Sequence, residues 1–281
     1  MAQLFTRLLL ATEHTPFDTG AEAMAIALAK RCQLPLATVL PLVSNPEYEA
    51  IAPQLAAQAE QEAAAKIAQL REQAQAAGVS IDLHLRRGAE SYQEIVDEAT
   101  AQGSDVIIIR RRGKRSFLAN LLVGEMVTKV VAHAPCHVLI VPREASMWQK
   151  RVLVAAEATA QGRQIVATAI AVAAQCGLPL HLVSVVPDEA LRLPTAAFVI
   201  EMLKLAQAQN VEARGEARIG KPYREILAAR VESQADLIVM GSRGEARLGR
   251  ALIGGVAQKV MGLSDQPVLV LNFLMFQGVL P

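Results

Sequence analysis

The sequence has few aromatic residues, and this shortage limits what its core can be made of. Phe, Tyr and Trp together make up 4% of the 281 residues, whereas hydrophobic residues make up 52%. The interior must therefore be built from Ala, Val, Ile and Leu. Aliphatic strands buried on both faces and covered by alanine-rich helices are typical of α/β proteins, so we expect a fold of this class.

The chain also lacks an excess of charge of either sign and a framework of cysteines. Its formal net charge is +1, so no overall field favours nucleic acid or a membrane surface as a partner. The three cysteines, Cys32, Cys136 and Cys176, form no C-x-x-C pair, and an odd number leaves any disulfide set incomplete. We expect reduced, buried thiols and a cytoplasmic protein.

A long uninterrupted hydrophobic run is missing as well. Residues 165–186 carry no Asp, Glu, Lys or Arg, and such a stretch is long enough to span a bilayer. Gly177 and Pro179, however, divide it into an alanine-rich helix and a short β-branched strand. The sequence therefore predicts a buried helix followed by a strand, with no membrane span.

What the sequence does contain is an internal repeat. Residues 7–13 (RLLLATE) align with residues 151–157 (RVLVAAE), and matches continue to the end of both copies. A repeat of this length indicates the duplication of a whole domain rather than a solenoid, whose units are shorter. We therefore assign a first domain to residues 1–146 and a second domain to residues 147–281.

Strands and helices alternate within each copy. In the second domain, the predicted strands are residues 151–156, 180–186, 211–219, 237–240 and 267–271, and the predicted helices are residues 161–176, 195–209, 222–234 and 255–262. In the first domain, the polar residues 46–77 predict one long surface helix. This alternation indicates right-handed βαβ units and a doubly wound parallel sheet in each domain.

The most informative segment follows the fourth predicted strand of the second domain. It reads Gly241-Ser-Arg-Gly244, and Gly254-Gly255 follows ten residues later. A strand, a glycine-rich turn and a helix start together form a cradle for phosphate, because unpaired backbone N–H groups point into it. We therefore expect an anion-binding loop at this position.

Three features together resemble the universal stress protein family: an acidic residue after the first strand, the spacing Gly-x2-Gly-x9-Gly, and a closing Pro-Val-Leu-Val strand. The resemblance covers nearly the whole chain, twice. It implies tandem Rossmann-like domains, each with five strands in the order 3-2-1-4-5, and a part in the stress response. It also implies ATP or another adenine nucleotide as ligand, Mg²⁺ as a candidate counter-ion, and a dimer of tandem chains.

By correspondence with the family, the nucleotide site lies in the second domain, beside its first and fourth strands. The residues expected to form it are Ala156, Glu157, Val185, Gly241, Arg243, Gly244, Gly254, Gly255 and Val256. Glu157 stands where the family usually has Asp, and Gly255 replaces a Ser or Thr. The missing hydroxyl removes a hydrogen bond worth roughly 1.5–3 kcal/mol, so we expect weakened binding, with a smaller loss for AMP or ADP than for ATP.

The first domain departs further from the family pattern. Arg110 replaces the first glycine, the following gap is one residue longer, and Glu125 replaces the Ser or Thr. A carboxylate at the phosphate position repels the ligand, so binding in the family's manner is not expected there. The same loop carries a basic run formed by Arg110, Arg111, Arg112, Lys114 and Arg115. It forms another kind of anion site, a contact for an acidic partner, or a solvated loop.

No set of side chains indicates catalysis. The five histidines show no metal-ligand spacing, and the sequence has no Gly-x-Ser-x-Gly segment. We therefore expect a binding protein rather than an enzyme, with weak ATPase activity left open. The competing hypothesis is a nucleotide-independent scaffold that serves dimerisation and binds a protein partner.

Overall fold

The computed structural model describes residues 5–44, 47, 51–111, 124–242 and 253–273. They form two compact units, one of residues 5–111 and 125–147 and one of residues 148–242 and 253–273. We keep the names first domain and second domain for these two units.

The described part of the first domain is a parallel sheet with helices between its strands. The strands are β1 (Leu8–Ala11), β2 (Leu36–Val43), β3 (Ile81–Gly88), β4 (Val106–Arg110) and β5 (His137–Val141), and the helices are α1 (Thr19–Cys32), α2 (Pro53–Ala76), α3 (Ser91–Ala101) and α4 (Glu125–His133). The strands lie in the order β3-β2-β1-β4-β5, and every pairing is parallel.

The second domain repeats this arrangement over its described residues. Its strands are β6 (Val152–Ala155), β7 (Leu180–Val186), β8 (Ala213–Ile219), β9 (Leu237–Gly241) and β10 (Val268–Leu271), and its helices are α5 (Ala160–Cys176), α6 (Arg192–Ala208), α7 (Pro222–Ser233) and α8 (Gly255–Leu263). The strand order is β8-β7-β6-β9-β10, again parallel. Both domains therefore confirm the predicted fold class and the order 3-2-1-4-5.

The inner strands form continuous aliphatic runs, as is usual for parallel strands whose two faces are both covered by helices. Every residue of β1, β6 and β10 is buried, and Leu9 and Ile108 have no exposed surface. This confirms the aliphatic core that the scarcity of aromatic residues indicated.

The long helix of the first domain is interrupted where the sequence predicts one helix over residues 46–77. Glu47 and Ile51 are helical, but the continuous helix α2 starts at Pro53, because the dihedrals of Ala52 lie outside the helical region (φ −133°, ψ 63°). Proline is well suited to the first turn, where its missing N–H is not needed. Most of its described side chains are exposed, as expected for a surface helix, and Ala63, Leu70 and Ala74 form its narrow buried stripe.

The charge-free stretch of residues 165–186 is divided as predicted. α5 ends before Gly177, which adopts the left-handed conformation (φ 65°), and β7 begins three residues later. Glycine takes this conformation without the steric penalty that a Cβ would impose. Within the described ranges, no helix has the length and apolar character needed to cross a bilayer.

Candidate functional site

A cleft of about 80 Å³ lies in the second domain, at the carboxyl ends of β6 and β9. This is where the sheet order reverses: the chain winds outward from β6 through β7 to β8 and then returns to β9 beside β6. The loops that leave β6 and β9 diverge here, and open α/β sheets bind their ligands in the resulting crevice.

Most of the residues that were expected at the nucleotide site line this cleft. The six are Ala156, Glu157, Val185, Gly241, Gly254 and Val256. Gly255 is the first residue of α8, immediately beside them. Arg243 and Gly244 lie outside the described residues.

Part of the cleft lining is apolar. Val183 and Val185 of β7 contribute to it together with Ile165 of α5, Ile226 of α7 and Ala257 of α8. Val183, Ile165 and Ala257 are buried, which fixes their positions in the packed core. These side chains can contact a flat, weakly polar group such as a nucleobase.

Backbone forms another part of the lining. Gly254 precedes α8, caps it with no side-chain hydrogen bond, and donates its own N–H to the Ser242 carbonyl at 2.9 Å. The N–H groups in the first turn of a helix have no partner within the helix, and the helix dipole adds positive potential. A Cβ placed on Gly255 would meet no atom within 4 Å. Within the part of the chain that the structure describes, the start of α8 therefore has room for an anionic group.

The loop after β6 and the first turn of α5 also line the cleft, and they contain residues that were not predicted from the sequence. Thr159 caps α5 by accepting the Gly162 N–H at 3.0 Å, and both residues line the cleft. A Cβ on Gly162 would approach the Glu157 carbonyl oxygen to 1.8 Å, so a side chain there requires the loop to move. A Thr three residues before a Gly at a helix start is a capping pattern that could have indicated this turn.

Ser242, Pro222 and Gln161 also line the cleft and were not expected. Ser242 follows the first glycine of the loop directly, and Pro222 begins α7. Their presence depends on how α7 and the end of β9 pack, which no local sequence pattern encodes.

The equivalent position in the first domain is occupied by the side chain of Arg110, the last residue of β4. Its Nη2 lies 2.9 Å from Oε2 of Glu13, and its Nε lies 2.8 Å from Oδ1 of Asp18. The side chain is 14% exposed and that of Asp18 is 1% exposed. The guanidinium also lies over the ring of Phe17, 5.9 Å from its centroid. The guanidinium therefore faces two carboxylates of its own domain.

The rest of the predicted basic run is described only in part. Arg111 donates its backbone N–H to the Val141 carbonyl at 2.7 Å, which continues the pairing of β4 with β5. Arg112, Lys114 and Arg115 lie outside the described residues. The anion or partner contact proposed for this run stays a prediction.

The first domain has a further concave surface, a groove of about 690 Å³ between α1 and α2. His14 stands at one end, with Nδ1 3.0 Å from Oε1 of the buried Glu22 and Nε2 3.2 Å from Oε1 of Gln69. Glu22 also accepts a 2.6 Å hydrogen bond from Thr12. These contacts connect α2 to the loop after β1, so they give His14 a structural role.

Shifted pKa values occur away from the cleft. Burial raises the pKa of the Cys136 thiol to about 12 and lowers the pKa of His137. Among the described residues with a shifted pKa, none lines the cleft. Over the described ranges, no group of three or more His, Cys, Asp or Glu side chains could hold a metal ion.

Comparisons with known sequences all point to the same family. The sequence model of the universal stress protein family matches residues 4–142 and again residues 149–272. Universal stress protein Slr1230 of Synechocystis sp. is 26% identical over 170 residues, which span 59% of this chain and 57% of that protein. Universal stress protein YxiE of Bacillus subtilis is 33% identical over 115 residues, or 40% of this chain and 74% of the relative. The match thus spans little more than half the length of the Synechocystis protein.

Solved structures resemble this fold over nearly the whole length of the chain. A universal stress protein from Archaeoglobus fulgidus superposes with a TM-score of 0.77 at 22% identity, covering 96% of this chain and 97% of that one. A functionally unknown protein from Pseudomonas aeruginosa PAO1 gives a TM-score of 0.68 at 22% identity, covering 95% and 92%. At these identities the likeness is one of fold.

Proposed function

Because this chain belongs to the universal stress protein family, we propose that it is a regulatory protein of the stress response that binds an adenine nucleotide in the cleft of its second domain. ATP, ADP and AMP are the candidate ligands. The observation that carries the proposal is the cleft itself. Its lining combines apolar side chains, exposed glycine backbone and the start of a helix, at the point where the sheet order reverses.

The residues present fit such a ligand. The valines of β7 and Ile226 would contact the base, where burial of apolar surface stabilises binding by about 25 cal/mol per Å². The N–H groups at the start of α8 would face phosphate. Glu157 is exposed at the rim of the cleft, and its carboxylate would accept hydrogen bonds from ribose hydroxyls. Mg²⁺ would bind together with the nucleotide, because this ion is usually held through the phosphates of its ligand.

We propose that the protein binds the nucleotide without hydrolysing it. We also propose that it acts in the cytoplasm. Hydrolysis needs a positioned base or a metal-activated water. Among the described cleft residues, Glu157 is the single carboxylate and no histidine is present. Weak ATPase activity stays open, and a phosphate-release assay on the purified chain measures it.

A scaffold that binds a protein partner without nucleotide is the second candidate function. It is favoured by apolar side chains on the outer face of α6, where Leu193 is 81% and Ile200 is 55% exposed. Exposed apolar surface of this kind can mark an interaction site. Absence of any nucleotide affinity would favour this candidate.

The decisive experiment combines detection of copurified nucleotide with a matched pair of variants. Nucleotide released by denaturation is identified by mass spectrometry, and calorimetry with ATP, ADP and AMP measures affinity. Val185→Glu places a carboxylate inside the cleft, so we expect affinity to fall at least ~100-fold through lost space and repulsion of phosphate. Val231→Glu makes the same change on the exposed face of α7 and should leave affinity within about two-fold of the wild type. Equal effects of the two variants would place the ligand elsewhere.

A further inference from the structure

The internal repeat presents the same crevice twice with different contents. Arg110 ends β4 and Gly241 ends β9, so these residues are equivalent. At the starts of α1 and α5, Asp18 and Gly162 are equivalent under the alignment of residues 7–13 with residues 151–157. An Arg and an Asp in the first domain therefore correspond to two glycines in the second.

In the second domain both glycines line the open cleft. Neither carries a side chain that could enter it, and the backbone around Gly162 leaves no room for one. The two glycines are thus what leaves the crevice free for a ligand.

In the first domain the equivalent side chains bind each other. Asp18 binds Arg110 through Oδ1, and its Oδ2 accepts the backbone N–H and the hydroxyl of Thr15 at 2.9 and 2.5 Å. Glu13 binds the other end of the guanidinium and is the equivalent of Glu157 in the second domain. The acidic residue that would face ribose in the second domain therefore faces an internal cation in the first.

We propose that the crevice of the first domain is a closed site, filled by Arg110 with Asp18 and Glu13 as its counter-ions, and that this exchange limits the chain to one nucleotide. The stoichiometry rests on the proposed function, whereas the closure does not. For Arg110 to bind a phosphate instead, it would have to leave an almost fully buried carboxylate without its cation, and breaking a buried ion pair from one side is strongly destabilising.

Closure is tested by thermal unfolding of the full chain with Arg110→Ala, Asp18→Asn and the double variant. We expect each single change to lower the unfolding midpoint by ~5–10 °C, and the double variant to lose clearly less than the sum, because the partners act as a pair. Arg110→Lys keeps the charge but not the fork that reaches both carboxylates, so it should also be destabilised.

Arg87→Ala is the matched control, because Arg87 forms an exposed ion pair with Glu60 in the same domain. Pairs of this kind contribute little to stability, so its midpoint should move by less than ~3 °C. If Arg110→Ala behaves like Arg87→Ala, or if the losses of the single variants simply add, the closed site is refuted.

The stoichiometry is tested by ATP titration. We expect one nucleotide per wild-type chain and none for Val185→Glu. Two nucleotides per wild-type chain, or residual binding in Val185→Glu that disappears when Arg110→Ala is added, would overturn the inference. If no variant binds nucleotide, the proposed function fails, and the unfolding data alone decide whether the crevice is closed.

Discussion

Single residues determine what each crevice can hold. Gly241 and Gly162 expose backbone around the cleft of the second domain, whereas Arg110 and Asp18 form an ion pair at the equivalent place in the first. Gly255 is a third such residue, since its missing side chain leaves unfilled space at the start of α8. At Gly255 a side chain can therefore be added without a clash, whereas at Gly162 it would meet the Glu157 carbonyl.

Restoring a hydroxyl at Gly255 should tighten nucleotide binding. Gly255→Ser adds a donor at a position where a Cβ meets no neighbouring atom, and a hydrogen bond to a charged group is worth roughly 1.5–3 kcal/mol. We expect ATP affinity to rise ~10–100-fold by calorimetry, with a smaller rise for AMP. Gly255→Ala adds the same Cβ without the hydroxyl and is the control. A similar gain in Gly255→Ala would contradict a role for the hydroxyl.

At the scale of secondary-structure elements, a polar cluster joins β7, β8 and α7 at the edge of the second sheet. Arg214 donates to Nδ1 of His181 at 3.0 Å, and Nε2 of His181 lies 3.0 Å from Oε1 of Glu216. Arg218 binds Glu216 and also Glu232 of α7. Because Nδ1 accepts a hydrogen bond, the proton of this imidazole is on Nε2 and the ring is neutral.

This cluster predicts a pH dependence of stability. Burial lowers the pKa of His181, and Arg214 and Arg218 lower it further against the opposing effect of Glu216. The unfolded chain, with a histidine pKa of about 6.5, then takes up a proton before the folded chain does. Stability should therefore fall as the pH drops below ~6.5.

His181→Gln should flatten this dependence between pH 6.5 and 5, as measured by thermal unfolding midpoints at each pH. The exposed His133 supplies the control variant His133→Gln, which should keep the wild-type slope. Identical slopes in the two variants would show that another group is responsible.

At the scale of the whole molecule, the chain is two copies of one fold that differ in their surfaces and sites. The family resemblance predicts that tandem chains pair, and α6 offers exposed apolar side chains for contact. Light scattering coupled to gel filtration should give a mass about twice the 30.1 kDa of the chain. A mass of one chain at all concentrations tested would contradict the predicted dimer.

The fold could be predicted because its signals are local and repeated. Strand runs such as Val106–Arg110 and stop signals such as Gly177 lie within a few residues of the boundaries they set. The break at Ala52 was missed because non-helical dihedrals at a single alanine have no sequence signature.

The site was predicted where it depends on glycine spacing and was missed where it depends on packing. Gly241 and Gly254 were found from the loop pattern, whereas Gly162 and Pro222 reach the cleft from other elements. The pairing of Arg110 with Asp18 joins residues far apart in sequence, and side-chain direction decides it. The basic residues around Arg110 therefore favoured an external partner, although the structure gives Arg110 internal ones.

The filled crevice of the first domain has a consequence for how the protein responds to cellular conditions. A ligand that binds only the folded state stabilises it by about 2.7 kcal/mol at a hundred-fold excess over its Kd. In the first domain, Arg110 neutralises Asp18 and Glu13 whatever the concentration of nucleotide. If the second domain binds a nucleotide as proposed, its stability would rise and fall with the nucleotide concentration, so without nucleotide this half of the chain would lose stability while the first half would not.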